Sequence, residues 1–76
     1  MREIVSTLAC GLVRRPDRVR VHERTVRGRL VIELMVHPDD RGRVIGRDGR
    51  TVKALRTLVS AVARKSDRPC LLEIID

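Results

Sequence analysis

The chain has 76 residues, a formal net charge of +7 and no Phe, Tyr or Trp, and fifteen of its seventeen basic residues are Arg. That length allows a single small domain, residues 1–76, whose 42% hydrophobic content suffices for one core layer, and no apolar run approaches the roughly 18 residues of a membrane span. The arginine excess favours a polyanionic partner, because guanidinium holds phosphate in a planar fork, while the missing aromatics exclude RRM sheets, OB-folds and cold-shock domains, which stack bases on aromatic platforms.

Ile4, Val5, Leu8, Ala9, Leu12 and Val13 recur three and four residues apart and predict a first helix. This spacing is not the continuous apolar run of a signal peptide, so a cytoplasmic protein is expected. No segment joins a basic face to large exposed apolar residues, which argues against a membrane-surface role. Pro16 disfavours helix at Arg15 and ends the segment. Val19, Val21 and Glu23 alternate as a short strand, and Arg27-Gly28 marks a turn. Leu30, Ile32, Leu34 and Val36 then line one side of a second strand, with Val31, Glu33 and Met35 on the other. The two strands are close enough in sequence to form an antiparallel hairpin.

Pro38-Asp39-Asp40 opens a short second helix, since proline suits the first helical position and carboxylates suit the positive end of the helix dipole. That helix carries Val44 and Ile45 and stops at Gly46. A longer third helix is expected from Thr51 to Arg64, with Val52, Leu55, Leu58, Val59 and Val62 as its buried stripe. Ser66-Asp67-Arg68-Pro69 breaks it. Cys70, Leu72 and Ile74 alternate with Leu71, Glu73 and Ile75 in a final strand. The order helix, strand, strand, helix, helix, strand is an α+β fold. Its last strand follows a helical crossover and should lie parallel to the second, giving a three-stranded mixed sheet with the helices packed on the Leu30/Ile32/Leu34 face.

Between the second and third helices, Val44-Ile45-Gly46-Arg47-Asp48-Gly49-Arg50 places two glycines three apart, so the backbone can turn tightly and be approached closely. No catalytic constellation accompanies it, and no small-molecule substrate is expected. Gly49-Arg50-Thr51 echoes the end of a P-loop, but Val44 stands where that motif needs glycine and Arg50 where it needs lysine. Cys10 and Cys70 are lone cysteines at apolar-periodic positions, read as buried and reduced, and neither His22 nor His37 has zinc-ligand spacing. No metal and no cofactor are expected.

The element order and the Val44–Arg50 motif resemble the type II KH domain. Pro16-Asp17, Val31-Ile32-Glu33-Leu34, Pro38-Asp39-Asp40, Lys53-Ala54-Leu55-Arg56-Thr57 and Leu72-Glu73-Ile74-Ile75-Asp76 extend the likeness to the whole chain, which is similar to the small stand-alone bacterial KH proteins of the KhpA (YlqC) family. The resemblance implies non-catalytic, sequence-tolerant binding of single-stranded RNA, in the manner of an RNA chaperone or post-transcriptional regulator, with cell-envelope or division control among the processes served. Carried over by position, Gly46 and Gly49 set the clamp's turn and Arg47 and Asp48 point outward. Ile45 floors the groove, Arg50 and Lys53 contact the RNA backbone, and Arg43 reaches it from the preceding helix. Asp48 leaves the loop neutral, so modest, salt-sensitive affinity is expected.

Arg24, Arg27 and Arg29, at the hairpin tip, are expected to close the far side of the groove. The resemblance further implies a homodimer or pairing with a larger KH-containing protein of the KhpB (Jag) type. Val31, Met35, Leu71 and Ile75, on the open sheet face, are the expected dimer face, and the alternative reading of function makes such pairing the chain's main role.

Overall fold

Among the described residues, proline and glycine punctuate the chain into three α-helices and three strands. The computed structural model describes residues 1–65 and 67–75, so Ser66 of the expected helix break and Asp76 of the closing segment lie outside the described residues. The elements are α1 (Arg2–Leu12), β1 (Arg20–Val26), β2 (Arg29–Met35), α2 (Arg41–Ile45), α3 (Arg50–Lys65) and β3 (Cys70–Ile75). This is the expected α+β order.

β2 is the central strand. It pairs antiparallel with β1, Val21 opposite Leu34 and Val26 opposite Arg29, and parallel with β3, Ile32 opposite Leu72. The hairpin closes through Arg27 (φ 51°) and Gly28 (φ 78°), two left-handed residues whose twist matches that of the paired strands. Such a tight connection keeps the pairing going to its tip, and β1 therefore runs three residues past Glu23. Alternation puts Ile32, Leu34 and Leu72 under the helices. With Val5 of α1, Val44 of α2 and Val59 of α3 they form the fully buried centre of the core.

Two elements depart from expectation. The second helix is a 3₁₀ turn, Pro38–Asp40, followed by only five α-helical residues. The His37 ring caps the turn, its Nδ1 accepting from the Asp39 N–H at 3.1 Å. The buried stripe of α3 is Val52, Leu55, Val59 and Ala63, whereas Leu58 is 49% exposed. α3 packs on the edge strand β3 while α1 packs on β1 and β2, so a narrow stripe suffices for α3 and Leu58 falls beside it. Cys10 and Cys70 are free thiols and only half-buried.

α3 sets the distance between the two ends of the fold. Its 16 residues rise about 24 Å at 1.5 Å each. At its N-terminal end lies the Gly46–Gly49 turn. At its C-terminal end the chain enters β3 beside the hairpin, where the Leu30 N–H donates to the Pro69 carbonyl at 2.9 Å and Arg68 donates to the Thr25 hydroxyl at 2.6 Å. Arginines also reach both open edges of the sheet. Arg56 donates through Nε to the Leu72 carbonyl of β3 at 3.3 Å, and Arg20 donates to the Asp17 and Val19 carbonyls beside β1 at 2.9 and 2.8 Å.

Candidate nucleic-acid interface

The turn between α2 and α3 is built from four residues with distinct backbone requirements. α2 ends when the Gly46 N–H donates to the Gly42 carbonyl at 2.8 Å. Gly46 itself has φ 77° and ψ 170°, a region essentially restricted to glycine. Space forbids a side chain as firmly as the dihedrals do: a Cβ there would sit 2.7 Å from the Thr51 Cβ and 2.8 Å from the Thr51 amide nitrogen. Asp48 (φ 55°, ψ 26°) and Gly49 (φ 73°) are both left-handed. Asp is among the few L-residues that tolerate that conformation, which gives Asp48 a backbone reason for its place in a loop of otherwise basic and small residues.

The Gly49 N–H donates to the Gly46 carbonyl at 3.1 Å, and the Arg50 N–H donates to that of Arg47. These bonds leave the turn rigid, with the side chains of Arg47, Asp48, Arg50 and Lys53 exposed around it. Among the described residues none of these three cations is held in an ion pair. Val44 is fully buried while its neighbour Ile45 is 36% exposed, so an aliphatic surface borders the turn. The arrangement can take an anion at the N-terminal end of α3 and an apolar group against Ile45.

Asp40 anchors the base of this assembly. It is 1% exposed and accepts hydrogen bonds from the Arg14 and Arg15 N–H groups at 3.2 and 3.1 Å, with Arg43 Nε at 3.4 Å. Burial alone would raise its pKa, but the two backbone donors and the charges of Arg15 and Arg43 outweigh it and hold the carboxyl below its ordinary value. Arg43 is therefore tethered to the start of α2, its side chain still 42% exposed. Sequence gave no sign of this carboxylate's role: Asp39 and Asp40 are adjacent and alike, yet Asp39 pairs with Arg15 at the surface. Only the approach of the segment after α1 separates them.

The structure thus gathers Arg43, Ile45, Gly46, Arg47, Asp48, Gly49, Arg50 and Lys53 at one end of the molecule. It does not bring Arg24, Arg27 and Arg29 to them, because the hairpin lies at the far end of α3. On the open sheet face Leu71 is 36% exposed and Met35 and Ile75 are half-buried. Val31 is buried, flanked in register by Arg24 and Leu71, and offers little surface to a partner. No helix among the described residues is long and apolar enough to cross a membrane.

Comparison with known proteins gives a consistent result. The family model described as KhpA/KhpB, KH domain matches residues 2–74. The chain is 53% identical over 76 residues to the RNA-binding protein KhpA of Halalkalibacterium halodurans, covering the whole of both chains. It is 45% identical over 74 residues to the RNA-binding protein KhpA of Streptomyces coelicolor, covering 97% of this chain and 94% of that one. With the RNA-binding protein KhpA of Aquifex aeolicus the identity is 42% over 76 residues, covering 100% and 96%. No solved structure gives a significant match.

Proposed function

The chain belongs to the KhpA/KhpB family of KH domains, and from that premise we propose that it binds single-stranded RNA by closing the Gly46–Gly49 turn on the sugar-phosphate backbone. The observation that carries this reading is the turn itself. Gly46 stands where no Cβ fits, and the cations Arg47, Arg50 and Lys53 surround it without ion-pair partners among the described residues. A phosphate meets the α3 N-terminus and these cations, and the attached bases lie against Ile45. Phosphate contacts fix position without reading sequence, so binding is sequence-tolerant and strongly weakened by salt. Weak, tolerant contacts of this kind suit a cytoplasmic RNA chaperone or post-transcriptional regulator, which must release one strand to engage another.

The test is Arg47→Asp, which removes a charge-assisted contact and sets a second carboxylate beside Asp48. The fold is expected to survive, because Arg47 is exposed and unpaired among the described residues. Affinity for single-stranded RNA at fixed salt is expected to fall roughly tenfold or more, the equivalent of losing one charged hydrogen bond of about 1.5 kcal/mol. Duplex RNA measured alongside should bind weakly to both proteins. A folded variant that binds single strands as tightly as the parent would reject the clamp.

A further inference from the structure

The hairpin arginines border a site of their own. On the sheet face turned away from the helices, a cleft of about 490 Å³ opens at the hairpin end. Arg24, Arg27 and Arg29 line it together with Glu73 and the exposed aliphatic side chains of Val26 and Leu71. Arg24 is shared with Glu33, whose carboxylate it meets at 3.2 Å. Arg27 and Arg29 are exposed, and neither has an ion-pair partner among the described residues. The left-handed hairpin turn holds the Arg27 backbone in a fixed conformation at the tip.

Cations beside exposed aliphatic side chains suit a ligand that joins phosphate to flat apolar rings. Resting on the reading of this chain as an RNA binder, we infer that the hairpin cleft is a second contact site for single-stranded RNA, separate from the Gly46–Gly49 clamp. Phosphates lie along Arg27 and Arg29, bases rest on the exposed Val26 and Leu71 or stack on guanidinium planes, and Glu73 disfavours phosphate on its own side. The two sites lie beyond opposite ends of α3, whose 16 residues rise about 24 Å. A short strand filling the clamp never meets the hairpin. A longer strand engages both, its second contact being intramolecular and therefore favoured by effective concentration.

The experiment uses Arg27→Asn combined with Arg29→Gln. Asn accepts the left-handed conformation at position 27, and neither change disturbs a pairing among the described residues. Binding is measured against an oligouridylate of about four nucleotides, the length a KH turn clamps, and one several times longer. Arg2→Gln combined with Arg18→Gln lowers the net charge equally and serves as control. The hairpin variant is expected to bind the short oligonucleotide like the parent and the long one several-fold more weakly. The slope of log affinity against log salt for the long strand should flatten by about 1.4, two contacts at about 0.7 each. The control should keep the parent's preference for length.

The inference is overturned if the hairpin variant retains the parent's long-strand affinity, if it weakens both lengths alike, or if the control loses the length preference equally. Arg47→Asp in the same assay separates the two readings. Loss of short-strand binding there supports the clamp whatever the hairpin does, and retention rejects the clamp without touching the hairpin result.

Discussion

Gly46 and Gly49 bracket the same turn but answer to different constraints. At Gly49 the obstacle is conformational alone, since a Cβ would meet nothing nearer than Val52 Cγ1 at 3.9 Å. Gly49→Ala should therefore cost about 1–2 kcal/mol, the usual cost of a left-handed L-residue. Gly46→Ala adds a collision with Thr51 to its forbidden dihedrals and should cost more, about 3 kcal/mol or above. Urea unfolding of the two variants checks the ranking, and equal losses would contradict it. Asp48 presents the converse case, a charge tolerated for its backbone. Asp48→Asn keeps the left-handed preference and removes the carboxylate, so RNA affinity should rise a few-fold at low salt with stability unchanged. An affinity that stayed level would mean that no phosphate passes Asp48. Both glycines stand out in the sequence, but nothing there ranks them, because the difference lies in where Thr51 packs.

Between elements, the buried Asp40 is the link of most consequence. It joins the segment after α1 to the start of α2, and α2 delivers the turn. Its folded pKa lies below the ordinary 3.8, so the folded protein binds that proton less tightly than the unfolded chain does. The stabilisation is fully present above about pH 4 and is lost as pH falls through the lower folded value. Urea midpoints measured from pH 7 down to pH 3 should drop in the acid range. In Asp40→Asn they should start lower at pH 7 and show less of that acid drop, because an amide offers one acceptor to two backbone donors. Identical acid slopes in the two proteins would assign the effect to another group. Pro38 and the paired aspartates signal the short second helix in the sequence. Its reduction to a 3₁₀ turn and five residues has no such signal, because the His37 and Asp40 contacts that shape it span loops rather than a periodic pattern.

At the scale of the molecule, strand alternation and the helical crossover were enough to read the sheet order, the parallel β2–β3 pair and the covered face. Distance was not readable. A list of basic residues places Arg24, Arg27 and Arg29 beside the glycine turn as easily as away from it, until the length of α3 separates them. Leu58 misled for a related reason, since periodicity marks an apolar stripe but not how much of it a single edge strand covers. Val31 lies on the open face, as alternation assigns it, but its cross-strand neighbours leave it buried.

The arginines laid against the borders of the sheet bear on how the protein behaves when crowded. A three-stranded sheet exposes two rows of backbone groups, each a template onto which another chain can add a strand. Here Arg56 occupies a carbonyl of β3, so a strand adding at that edge must displace a guanidinium, and Arg20 holds the Asp17 and Val19 carbonyls at the entrance to β1. The charge that draws the protein to a polyanion thus also discourages it from polymerising with itself.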